Sequence, residues 1–231
     1  MKFSKDTLNI LKNFSTINSS IMLKKGSFVM TRTVNATSYA EATISDTIDF
    51  DVAIYDLPGF LSILALVGEG ADISMAKDGN ICIKDARSTI FWPAADPSTI
   101  SYPNKNITFP TASVIFELKG EDMQQLMRVS RSSSMQIDTL CVTNKDGKII
   151  INGYNKSADS ANMRELYSLI VADYDGTNNF SFFINMANMK MQPADYKVMI
   201  ATAAGNKGAF KFEGSNASYI IAFEQDSNHD F

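Results

Sequence analysis

Apolar and polar positions follow two different rhythms along this chain, and the switches between them mark its elements. Over residues 5–14 the apolar Leu8, Leu11 and Phe14 recur every third residue, while Lys5, Asn9 and Lys12 take the other side. That spacing predicts an amphipathic helix with Ser4 as its N-cap. Over residues 121–131, Met123, Leu126, Met127 and Ser130 fall at i, i+3, i+4 and i+7, with Glu121, Gln124, Gln125 and Arg128 opposite. Each helix is followed by two β-rich runs joined by a turn. The first pair is 20–23 and 27–33, around Lys24-Lys25-Gly26; the second is 135–143 and 148–154, around Asn144-Lys145-Asp146-Gly147.

Two looser copies complete the series. One opens with Asp56 capping a helix over 57–67, with Pro58 in its first turn, and continues through strands at 71–75, 81–84 and 88–92. This helix is apolar nearly all round, which predicts burial on more than one side. The other opens with a short helix over 186–192 and continues through strands at 196–201, 209–213 and 218–223. Further β-rich runs lie at 39–44 and 50–54, separated by the polar 45–49, and at 111–118, 164–171 and 179–184. Four helix-then-strands units make two pairs. Between the pairs, 93–110 carries Pro93, Pro97, Pro103 and Pro110, and such a run is extended and semi-rigid. The expected architecture is therefore α+β, with two similar domains: 1–110, including the linker, and 111–231. The polar tail, 226–231, is expected to fray.

Composition removes alternatives more than it adds them. With 45% hydrophobic and 20% charged residues, the 231-residue chain has the make-up of an ordinary soluble protein. The N-terminus lacks a signal-peptide apolar region and no run reaches membrane-spanning length, so a cytoplasmic protein without a membrane partner is expected. Cys82 and Cys141 sit in predicted strands as reduced core residues. His229, in the tail, is the single histidine, so no Ser-His, Cys-His or His-metal set can form within one chain. Neither phosphate-binding glycine motif is present, and Asp173 and Asp175 read as a hairpin turn, not a calcium loop. No catalytic residue, metal site or cofactor is expected.

The net charge is −4, which by itself argues against phosphate neutralisation. Its distribution says otherwise. In the predicted helical segments Lys2, Lys5, Lys12, Lys119, Arg128, Arg131 and Lys190 outnumber Asp6, Asp56, Glu121 and Asp122, leaving +3 on the helices and −7 on the rest. Helix-dipole complementarity accounts for the charges of the third helix, but not for Lys5 and Lys12 at both ends of the first.

Several long motifs resemble one known family: MKFSKDTLNILKNFSTIN at 1–18, DFDVAIYDL at 49–57, ARSTIFWPAADPST at 86–99, QQLMRVSR at 124–131, QIDT at 136–139, INMANMKMQP at 184–193 and the closing His229-Asp230-Phe231. They are similar to the sliding clamps of T4-type bacteriophages. The resemblance implies a homotrimeric ring of six domains that encircles double-stranded DNA without reading its sequence. It further implies a tether for the phage DNA polymerase, loading by an ATP-dependent clamp loader, contact with late-transcription factors, and action in the cytoplasm of the infected host. Twelve helices at roughly 9 Å spacing would enclose a channel about 35 Å wide, enough for a duplex roughly 20 Å across. The competing reading is a β-rich structural or assembly protein of a virion.

Site expectations follow from that ring. Lys5, Lys12, Arg128 and Arg131, together with Lys2, Lys119 and Lys190, should face the DNA and touch phosphates. Subunits should join edge to edge, with the run from Ser88 to Trp92 beside the run from Met163 to Leu169 of a neighbour; a core position is the alternative for Trp92. On the linker, Tyr102, Ile107 and Phe109 should either line a partner-peptide groove or pin the linker to the second domain.

Overall fold

In the computed structural model, which describes residues 1–68, 70–159 and 162–231, helix α1 (Lys5–Ile17) starts where Ser4 Oγ accepts the Thr7 N–H at 3.3 Å. It runs three residues past the predicted end because Ile17 extends the buried stripe of Thr7, Ile10, Leu11 and Phe14. Asn18 then closes it. Its backbone N–H bonds Phe14 O, its Nδ2 donates to Arg32 O and Ser101 O at 2.9 Å each, and its Oδ1 accepts the Ser20 N–H at 3.0 Å. One buried amide thus ties the helix end to two later segments of the same unit.

The chain divides into two units, Met1–Ile107 and Thr108–Phe231. In the first, β1 (Ile21–Leu23) pairs with β4 (Val52–Ile54), and β2 (Gly26–Arg32) pairs with β3 (Ser38–Ile48), all antiparallel. The predicted break at 45–49 is absent as far as Ile48. Ala40, Ala42, Ile44 and Ile48 all face inward, and Asp46 takes the remaining inward place, where its carboxylate accepts the Ser4 N–H at 2.6 Å beside the start of α1. Burial works against that carboxylate's charge, yet the Ser4 amide and the Thr7 and Ser4 hydroxyls outweigh it and hold its pKa below the ordinary value.

Helix α2 (Leu57–Val67) is capped as expected, with Asp56 accepting the Gly59 N–H at 3.0 Å. The expected burial on several sides is not observed. Only Leu57, Phe60 and Leu64, one stripe, are buried, and Leu66 is 79% exposed. Strands β5 (Asp72–Met75), β6 (Ile81–Lys84) and β7 (Thr89–Trp92) follow as a three-stranded antiparallel sheet with β7 at one edge. The proline-rich run is fastened to this unit: Ala95 bridges to Ala53, Pro97–Thr99 forms a 3₁₀ turn, and Pro103 is buried.

The second unit opens with β8 (Val114–Leu118) and α3 (Gly120–Ser130), whose buried Met123, Leu126, Met127 and Ser130 are those the periodicity marks. Beyond it β9 (Thr139–Lys145) starts four residues later than expected, because the chain turns through 132–135 and Gln136 takes a φ of +47°. Asp146 and Gly147, both at positive φ, make the tight turn into β10 (Lys148–Tyr154). Then come β11 (Glu165–Asp173), β12 (Phe180–Asn185), β13 (Tyr196–Ala203), β14 (Lys207–Glu213), β15 (Ser218–Ala222) and β16 (Asn228–His229). They form one sheet in the order β11-β10-β9-β12-β16 and an antiparallel ladder in the order β15-β14-β13-β8.

Two expectations fail here. The fourth helix, predicted over 186–192, is a single 3₁₀ turn, Met186–Asn188. Met189 and Met191 are both buried, a spacing of two that belongs to extended chain, so the described residues contain three α-helices and not four. The tail does not fray. Ser227 Oγ accepts the Phe183 N–H at 2.9 Å, β16 pairs with β12, and Phe231 packs against Phe180 and Phe182.

Candidate nucleic-acid interface and docking surfaces

Lys2, Lys5, Lys12, Lys119, Arg128, Arg131 and Lys190 are all exposed. On α1 the reason is periodicity: with Thr7, Leu11 and Phe14 turned inward, Lys5, Asn9 and Lys12 must share the outer face. Between this face and α2 lies a groove of about 520 Å³, walled by Lys5, Asn9 and Lys12 on one side and Pro58, Leu61 and Ala65 on the other. On α3, Arg128 stands one turn beyond Gln124 and Gln125, with Arg131 at the C-cap and Lys119 at the N-cap. Lys119 makes no capping bond from its side chain. Asp195 does so instead, its Oδ1 accepting the Gly120 N–H at 2.6 Å. Lys190 lies on extended chain, not on a helix, and the buried Met189 and Met191 on either side turn it outward. Each unit thus carries exposed cations on or near its helical segments.

The two proposed seam strands are both sheet edges. β7 ends the sheet of the first unit and β11 ends that of the second. Along β11 no residue is buried, although Leu166, Tyr167, Leu169, Ile170 and Val171 are apolar or aromatic, and Ile170 is 62% exposed. On β7, Phe91 is 59% exposed. Trp92 is half-buried, its ring 5.8 Å from that of Phe60 and steeply inclined to it. It has therefore neither the full core position nor a free surface one. Ser88 lies just before the strand, its amide bonded to Asp85. Met163 is not in the opposing strand. It sits two residues before β11 at a φ of +43°, in a turn closed by its bond to Asp159 O, whereas Leu169 is near the middle of the strand.

The linker residues separate. Ile107 borders a cavity of about 260 Å³ with Arg32, Ser38, Tyr39 and Pro103. Tyr102 is half-buried in the same unit, and Phe109 belongs to the second unit. Tyr39 OH donates to Glu41 at 2.7 Å; burial first, then the Glu41 carboxylate, push its pKa well above the ordinary phenol value.

Among the described residues no three His, Cys, Asp or Glu side chains are grouped to hold a metal. Burial pushes the Cys141 thiol up to about 12, far from a nucleophile's value. The His229 ring lies among Phe182 and Phe231. Sequence reasoning missed three polar ties: Asn18, Asp46 and Asp195. Each acts on a partner distant in the chain, and no local pattern marks that.

Two family models cover most of the chain: "DNA polymerase processivity factor" over 4–102 and "gp45 sliding clamp, C terminal" over 115–225. The sliding clamp of Escherichia phage RB69 is 65% identical and that of Enterobacteria phage T4 64% identical, each over 231 residues and the whole of both chains. The chain belongs to the sliding-clamp family. Its fold is shared more widely: the crystal structure of Proliferating Cellular Nuclear Antigen from Entamoeba histolytica superposes with a TM-score of 0.64, covering 94% of each chain at 10% identity. It is a sliding clamp and polymerase processivity factor. The virion-assembly reading is not favoured, since both halves match replication families.

Proposed function

We propose that three copies of this sliding-clamp chain close into a ring of six domains, two per chain divided at 110/111, around double-stranded DNA. The observation that supports it most is the pair of uncovered apolar edges, β7 and β11, one on each unit. An unpaired apolar strand is an aggregation hazard unless something covers it, and a closed ring joining β7 of one chain to β11 of the next leaves neither exposed. Ser88 and Trp92 then lie at the seam opposite Leu169, with Met163 at its end. The seven exposed cations form a diffuse lining that touches phosphates. The ring tethers the phage polymerase and is opened by an ATP-dependent loader. Partners, late-transcription factors among them, dock along the linker at Tyr102, Ile107 and Phe109. It works without catalysis of its own, in the cytoplasm of the infected cell.

Retention on DNA is topological. Ionic binding by a few cations weakens by orders of magnitude as salt rises, whereas a ring lets go only when a seam opens or an end is reached. Clamps loaded on a nicked circle should survive a high-salt wash that strips them from a linear duplex, and their native mass should be three times 25.4 kDa. Equal salt-sensitive loss from circle and linear DNA, or a monomeric mass, ends this reading.

A further inference from the structure

The groove between α1 and α2 joins two kinds of surface, and a phosphate lining requires only one of them. Along α1, Lys5 and Lys12 share one wall seven residues apart, two helical turns or about 10 Å. On the other wall Pro58, Leu61 and Ala65 are apolar, and α2 carries no charged residue. Leu8 completes the apolar lining, and among the described residues around the groove there is no carboxylate. A smaller cavity of about 170 Å³ adjoins it, sharing Lys5, Leu8 and Ala65 and reaching the buried Phe3, Leu64 and Ile73. The result is an apolar trough with one deeper end and cations on a single flank.

We propose that this groove docks an amphipathic helix of a partner protein, apolar along one face with carboxylates along its flank, and that this helix and duplex DNA exclude each other there. A helix seats in such a groove by its i, i+3, i+4 and i+7 side chains. The groove follows α1 from Lys5 to Ser15, roughly 15 Å or about three turns of an incoming helix. Its volume of about 520 Å³ takes several side chains, and the deeper end takes one large anchor. Carboxylates seven residues apart on the incoming helix match the interval between Lys5 and Lys12. DNA meets only half of this surface: its phosphates pair with the lysines, while its polar backbone leaves Pro58 and Leu61 in water. The docking site stands on the groove itself; the exclusion rests on the reading that Lys5 and Lys12 face the duplex.

The test uses the full-length protein and a labelled peptide of helical pattern, acetyl-Glu-Leu-Ala-Gln-Leu-Phe-Ala-Glu-Leu-Ala-Gln-Leu-amide. Two changed forms accompany it: glutamine for both glutamates, and serine for the leucines and phenylalanine. Fluorescence anisotropy should show the glutamine form binding about fivefold more weakly, the worth of two exposed ion pairs, and the serine form not at all. Leu61→Gln and, independently, Ala65→Glu, at an exposed position, should abolish binding with native mass unchanged. Lys12→Gln should reduce the preference for glutamate. Clamps loaded on a nicked circle should bind the parent peptide at least about tenfold more weakly. Equal binding of the glutamine form overturns the charged flank, and equal binding of the serine form shows that the lysines attract any anion, DNA included. Either result ends the proposal, as does a parent peptide that fails to bind or that binds both groove variants like wild type. Undiminished binding by the loaded clamp overturns the exclusion and takes α1 out of the DNA channel, while leaving the docking site in place.

Discussion

Ile170→Thr separates a seam from an ordinary exposed strand. Ile170 stands 62% exposed on β11 beside Ile150. Threonine keeps the β-branch, so the chain's own fold should change by no more than about 0.5 kcal/mol. If a neighbour's β7 covers the position, each seam loses one or two buried carbons at roughly 0.8 kcal/mol apiece. Each seam also gains a hydroxyl to desolvate, at about 1–3 kcal/mol. The sum is about 2–5 kcal/mol per seam, a ~30- to ~5,000-fold weaker subunit contact. Sedimentation or native mass across a dilution series reads this directly. Val34→Thr, at a position 78% exposed between β2 and β3, is the control that should change nothing. A dissociation midpoint for Ile170→Thr that coincides with wild type would refute the covering of β11.

Lys5→Glu with Lys12→Glu should leave the oligomer's mass unchanged and sharply reduce processive synthesis; normal processivity would take both out of the DNA face. Asn18→Leu strands the carbonyls of Arg32 and Ser101 and the amide of Ser20, so denaturant unfolding should show a loss of about 3 kcal/mol or more, and a loss under about 1 kcal/mol would contradict the tie. Burial opposes ionisation of Asp138, but the Ser157 and Lys156 amides and the Thr139 hydroxyl outweigh it and lower its pKa. A lowered folded pKa gives stability that is present above the unfolded value near 4 and lost as pH falls below it. Asp138→Asn should accordingly flatten the acid limb of a melting-temperature-versus-pH curve while lowering the neutral plateau; an unchanged acid limb would mean the carboxylate is not differentially ionised.

The three α-helices and most hairpins were legible because each carries its reason locally: a cap, a stripe, an Asp-Gly turn. What escaped was decided at a distance. Asp46 looks like a loop residue between Ile44 and Ile48, and only the amide of Ser4 makes an aspartate the right inward residue there. The tail reads as polar, yet Phe231 finds Phe180 and Phe182, some fifty residues back in the sequence. The 3₁₀ turn replaced a helix because two methionines needed burial on alternate residues. In α2 the expectation failed because only one stripe, Leu57, Phe60 and Leu64, is buried, which leaves Leu66 in solvent. For the candidate site, the cations and the edges were visible as pattern, while the cap that Asp195 places on α3 was not.

The remote cap on α3 has a consequence for how the chain is made. Ser4 and Asp56 cap their helices from the adjoining residue, so the caps of α1 and α2 are to hand as soon as those residues leave the ribosome. The first amide of α3 waits for Asp195, 75 residues further on. At about 5–20 residues per second that is a delay of roughly 4–15 s. During that interval the second half holds an incomplete helix beside unpaired strands, and aggregation of nascent chains should concentrate there.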